Sequence, residues 1–102
     1  MTNVSCVNDR GAYQIDIEGH ANYNDGPDIV CSSVSTLSFT LMCAIENQEA
    51  DAKNYNYDNG DVHIHVKPTK ENQGTIDTIV ETIMLGFAML EEKYPDNVTL
   101  QW

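Results

Sequence analysis

The apolar positions of this chain change period as the sequence advances. Over residues 3–8, Val4 and Cys6 fall on one face. Tyr13, Ile15 and Ile17 then alternate with Gln14, Asp16 and Glu18, the period of a half-buried strand. Between the two runs Asn8-Asp9-Arg10-Gly11 is a turn signal, with Gly11 suited to positive φ. Residues 3–19 therefore predict a hairpin. Residues 20–27 carry no period and end in Asp25-Gly26-Pro27, which reads as a loop. From Asp28 to Asn47, Val30, Val34, Leu37, Leu41 and Ile45 recur at steps of three and four. That is one stripe along a helix, with Asp28 placed to cap its N-terminus.

The second half repeats the scheme. Tyr55 and Tyr57 alternate with Asn54 and Asn56, and Val62, Ile64 and Val66 alternate with His63 and His65. Asp58-Asn59-Gly60-Asp61 between them contains Asn-Gly, the strongest short hairpin signal. Lys67 to Gln73 reads as a polar loop. A second helix is predicted from Gly74 to Lys93, with Ile76, Ile79, Val80, Ile83, Phe87 and Leu90 as its stripe, and Pro95 stops it. Met84, Leu85, Ala88 and Met89 make its apolar surface wider than one face needs, which predicts a second covered surface and hence a homodimer. Val98, Leu100 and Trp102 alternate to the chain end. The order ββαββαβ suits an α+β domain: a five-stranded, mostly antiparallel sheet with two helices on one face. Its 102 residues predict one domain over 1–102.

Charge narrows the function. Sixteen Asp and Glu against five Lys and Arg give a formal charge of -11. A chain without a basic face is not expected to bind nucleic acid directly or an anionic membrane. Its natural electrostatic partner is a basic protein or peptide. No long apolar run and no N-terminal signal pattern stand in the sequence. The three cysteines make no CxxC or zinc pattern, so free thiols in a reducing cytoplasm are expected, with no cofactor and no metal.

Cys31 falls in the first turn of the first helix, where free N–H groups and the helix dipole favour an ionised thiol. Nearby Asp25 and Asp28 oppose this. His20 lies across one loop, at the end of the second strand, and can act as its base. A Cys–His pair is the minimum for nucleophilic catalysis, and the N–H groups of Cys31 and Ser32 are candidates for an oxyanion hole. Taken by themselves, these residues fit a small semi-buried cysteine and a surface histidine better than a catalytic pair. Cys6 and Cys43 are expected to be core thiols. His63 and His65 share a strand face, where no third metal ligand is evident. Asp16 and Glu18 read as the solvated side of their strand.

Gly19-His20-Ala21, a loop, Asp28-Ile29-Val30-Cys31, then Val34-Ser35 and Leu37 together resemble the ribosomal-processing cysteine protease family, Prp. That family carries Gly-His-Ala, a glycine-containing loop, and Asp-x-Val-Cys-Ala-Ala-Val-Ser. The match covers residues 19–37. The resemblance implies a cysteine endopeptidase that removes a short N-terminal extension from the precursor of a large-subunit ribosomal protein, the twenty-seventh in the standard naming. It assigns Cys31 as nucleophile and His20 as general base, and it matches Gly19, Asp28 and Ser35 to motif positions. Asp28 is either an orienting residue or a cap. The loop from Ala21 through Gly26 and Pro27 is implied to be mobile over the peptide, and the protein to be a homodimer. Ser32-Ser33 departs from the family's Ala-Ala, beside the thiol. Two rival readings from other classes remain. One is a non-catalytic acidic module holding a basic ribosomal protein. The other is a thiol redox sensor.

Overall fold

The chain builds β1 (Thr2–Asp9), β2 (Ala12–Gly19), α1 (Ile29–Glu46), β3 (Ala50–Asp58), β4 (Asp61–Pro68), α2 (Gln73–Lys93) and β5 (Val98–Gln101). The structure is a computed structural model that describes residues 1–58 and 60–102. Asn59 of the Asn-Gly signal lies outside the described residues. The strands form one sheet in the order β3-β4-β2-β1-β5. β1 pairs with β5 in parallel and every other pairing is antiparallel. The parallel pair exists because α2 carries the chain back across the sheet, the long connection that parallel strands require. The expected α+β architecture and element order are those observed.

One face of the sheet is buried. Val4, Cys6, Tyr13, Ile15, Ile17, Val62, Ile64, Val66 and Val98 meet Val30, Val34, Leu41 and Ile45 of α1 and Ile76, Val80, Ile83 and Phe87 of α2. Each large side chain buried here contributes roughly 1.5–3 kcal/mol, and these stripes hold the helices down. α1 is long and apolar enough to cross a membrane by length and composition alone, yet its stripe faces this core. The opposite sheet face stays open and carries Gln14, Asp16, Glu18, His63 and His65.

Four features depart from the sequence pattern, each for a physical reason. β3 begins at Ala50, well before Tyr55, and β4 continues through Pro68 into the expected loop. β3 is an edge strand whose residues are almost all exposed, so no apolar period marks it. Met84 is fully buried and belongs to the core rather than to the surplus surface, while Leu85 and Met89 are exposed. Cys43 is exposed, not a core thiol. It sits two residues beyond Leu41, about 200° round a helix whose stripe faces inward. Cys6 is buried as expected. Finally, Arg10 (φ 56) joins Gly11 (φ 92) at positive φ. The pair forms the two-residue turn whose twist matches the strands it joins.

Candidate active site

Asp28 organises the start of α1. Its Oδ1 accepts the N–H groups of Val30 at 3.0 Å and Cys31 at 2.9 Å. Its Oδ2 accepts those of Tyr23 at 2.9 Å and Asn24 at 3.4 Å. One carboxylate thus caps the helix and ties the preceding loop to it. The bond from the Cys31 N–H is the largest effect and holds this carboxyl below its ordinary value of 3.8; desolvation opposes it, and the bonds from Tyr23, Asn24 and Val30 add to the lowering. The geometry is that of a cap.

Cys31 is exposed one turn into α1. Its N–H is engaged by Asp28, and the Ser32 N–H donates to the Asp28 carbonyl oxygen at 3.0 Å. Both candidate oxyanion donors are therefore occupied. Position explains this: the third N–H of a helix takes the cap side chain and the fourth takes the cap carbonyl. Ser33 Oγ donates to the Ile29 carbonyl at 2.7 Å, so of the Ser32-Ser33 pair this hydroxyl is turned to the backbone. Ser35 is half-buried one turn on.

His20 is exposed at the end of β2. Gly19 before it has φ 90, and its N–H donates to Asp61 Oδ1 at 2.9 Å. The imidazole rests over Gly60, where an added Cβ would lie 3.2 Å from His20 Cε1. Among the described residues no hydrogen bond joins His20 to Cys31. They open to solvent from opposite ends of the 21–28 loop.

That loop has firm anchors. Ala21 is buried and its carbonyl accepts from Asn97 Nδ2 at 2.9 Å. The Tyr23 ring meets Tyr94 edge-on at 5.2 Å. Asn24 Nδ2 donates to the Pro27 carbonyl at 2.9 Å. Gly26 and Pro27 are exposed, as are residues 22–25. Beside Cys31, a groove of about 460 Å³ runs between α1 and α2, lined by Ser32, Ser33, Thr36, Leu37, Gly86, Met89 and Leu90. Its lower wall is close because Gly86 has no side chain: a Cβ there would sit 2.8 Å from Leu37 Cδ2.

Gly60 and Asp61 read in the sequence only as part of a turn, and Asn97 carries no signal there. They reach the site through strand register and the final turn, and local spacing carries no signal for either.

Comparison with known proteins places this geometry. The family described as Cysteine protease Prp matches residues 1–99. The Ribosomal processing cysteine protease Prp of Staphylococcus aureus is 30% identical over 98 residues, covering 94% of this chain and 92% of that protein. A crystal structure of the S. aureus protease with a covalently linked product peptide superposes with a TM-score of 0.79 at 30% identity, covering 99% of this chain and 98% of that one. A second, with a substrate peptide, gives 0.74 at 29% identity over the same shares. A Streptococcus mutans protein gives 0.73 at 26% identity, covering 99% and 92%. Fold and likeness together define a cysteine protease. The chain belongs to the cysteine protease Prp family.

Proposed function

We propose that this protease removes the N-terminal extension from the precursor of the twenty-seventh large-subunit ribosomal protein, with Cys31 as nucleophile and His20 as general base. The observation that carries the assignment is the placement of an exposed thiol on a capped helix start, one anchored loop away from an exposed histidine. The S. aureus relatives held a substrate peptide and a covalently linked product peptide, which supports a covalent route.

In this mechanism His20 takes the Cys31 proton and the thiolate attacks the scissile carbonyl carbon. The resulting tetrahedral intermediate collapses as His20 returns the proton to the leaving amine, and a thioester remains on Cys31. Water, deprotonated by His20, releases the new carboxylate and frees the thiol. Cys31 and Ser32 N–H groups are already bonded. Oxyanion stabilisation therefore requires Asp28 to release the Cys31 N–H, or donors from outside α1. Asp28 acts as a positioning residue.

The charge of -11 favours a basic precursor, and three free thiols suit the reducing cytoplasm where ribosomal proteins are made. Exposed Leu85 and Met89 on α2 support a homodimer. The test is cleavage of a basic precursor peptide over a salt series. The rate falls as salt rises, because screening weakens encounter between a basic peptide and an acidic enzyme. Binding without cleavage would instead favour a non-catalytic acidic module.

A further inference from the structure

The open face of the sheet carries a constellation that the protease reaction does not use. β2 and β4 pair with Asp16 opposite His63 and Ile17 opposite Val62. One step further sets Glu18 against Asp61. Alternation then puts Asp16, Glu18, Asp61 and His63 on one face, the face away from both helices. One ligand atom each from Glu18, Asp61 and His63 lies within 4.8 Å of the others. We propose that Glu18, Asp61 and His63 bind a single transition-metal ion of the zinc class.

Distances allow it. Zinc bonds of about 2.0–2.2 Å in a tetrahedron set neighbouring donors about 3.4 Å apart. From a spread of at most 4.8 Å the donors close by no more than about 1.4 Å, within reach of side-chain rotation on an open face. Two carboxylates and one imidazole with a water in the fourth position suit zinc and its neighbours. Calcium and magnesium prefer oxygen donors alone.

Orientation favours it too. His63 Nδ1 lies 2.6 Å from Asp16 Oδ1. With Nδ1–H donating to that carboxylate, Nε2 is the nitrogen left to ligate. This carboxylate–histidine pairing is the usual support of a metal-bound imidazole. Asp61 is aimed as well, since its Oδ1 accepts the Gly19 N–H at 2.9 Å, and its second oxygen remains for the ion. Charge supplies a driving force. Among the described residues the only ion pair is His63 with Asp16. Asp16, Glu18 and Asp61 therefore stand together with neutral donors, the Gln14 amide on Asp16 and the Gly19 N–H on Asp61, and with the His63 imidazole as their one basic side-chain partner among the described residues, in a chain of charge -11. A divalent cation offsets that repulsion.

The position gives the site a consequence. Asp61 holds the Gly19 N–H, and the next residue, His20, rests on Gly60. A bound ion clamps the end of β2 to the start of β4 behind the proposed general base. This consequence rests on the protease assignment; metal binding does not, and the two are tested apart.

The experiment is calorimetric titration of Zn²⁺ alone into Cys31→Ala/Cys43→Ala protein, which lacks both exposed thiols that would capture zinc themselves. Imidazole ¹⁵N spectra follow the same titration. One saturable equivalent is expected, with the His63 Nε2 resonance shifting and excess Mg²⁺ failing to displace zinc. His63→Gln and Glu18→Gln each weaken binding by at least about tenfold, and Asp16→Asn by about tenfold through lost orientation of the ring. Glu18→Gln, at an exposed position, decides the matter if His63→Gln disturbs the fold. Absence of saturable binding, equal affinity in Glu18→Gln, or shifts confined to His20 or His65 would overturn the proposal.

Discussion

Adding a single methyl group tests the link between backbone geometry and the proposed base. Gly19 has φ 90, and a Cβ there would collide with the Met1 carbonyl oxygen. Gly26 has no positive φ, and its added Cβ would meet only Asn24 Nδ2 at 3.8 Å. Replacing either glycine with alanine restricts the unfolded chain equally, an effect of about 0.4–1 kcal/mol in favour of folding. The difference between Gly19→Ala and Gly26→Ala therefore isolates the folded-state cost at Gly19. An L-residue in the left-handed region costs roughly 1–2 kcal/mol, and the Met1 collision adds to this as far as the chain start cannot move aside. For a domain of this size each kcal/mol corresponds to about 4–8 °C in Tm. Gly19→Ala is thus expected to melt at least about 4 °C below Gly26→Ala by calorimetry. Its peptide-cleavage rate should fall as well, because the Gly19 N–H to Asp61 bond sets where His20 begins. Equal Tm values for the two variants would refute the geometric reasoning. A lower Tm with unchanged cleavage at a temperature where both variants are folded would refute the link to His20.

Iodoacetamide is expected to label Cys31 faster than Cys43 although both are exposed, and Cys6 slowest, since burial pushes its thiol up to about 11; mass mapping of each site over time reads this, and equal rates at Cys31 and Cys43 would deny an activated thiol. Asp28→Asn keeps an oxygen to cap Val30 and Cys31 but cannot accept both loop N–H groups, so amide exchange at Tyr23 and Asn24 should quicken while α1 stays protected. Because the folded-state value of Asp28 is depressed, its contribution to stability is present above the ordinary value of 3.8 and is lost as pH falls through the lower folded value. Asp28→Asn should therefore flatten the acid limb of a stability-against-pH curve. If α2 supplies a dimer interface, wild type is expected to sediment as a dimer and Met89→Glu, at a position 71% exposed, as a monomer with a lower, concentration-independent Tm; a monomeric wild type would remove the dimer, and an unchanged dimer in the variant would place the interface elsewhere.

Period made the helices legible. Val30, Val34, Leu41 and Ile45 mark one face of α1, and Ile76, Val80, Ile83 and Phe87 one face of α2, because each helix buries a single side. The β1–β2 hairpin was equally readable, since Tyr13, Ile15 and Ile17 have water on their other face. The first half of β3 is not legible in the sequence because an exposed edge strand has no buried face to impose a period. Cys43 is exposed because its helical phase turns it away from the stripe, which mid-helix position alone does not reveal. Cys31, His20 and Asp28 could be named from spacing and family resemblance. The four N–H groups on Asp28 could not, nor the support that Gly60 and Asp61 give His20. The first follows from the path of the 21–28 loop, which carries no period; the second needs β2 beside β4, and strand order is set by packing across the whole sheet, not by neighbours in sequence.

The central claim is covalent catalysis at Cys31 with His20 as base. Intact-protein mass spectrometry of the enzyme mixed with precursor peptide tests it most directly, recording both cleaved peptide and acylated enzyme. Wild type is predicted to release the extension and to pass through an adduct mapped to Cys31. Cys31→Ala should yield neither product nor adduct, and His20→Ala should lose at least about 100-fold in rate. Cleavage by Cys31→Ala at the wild-type rate would contradict the account.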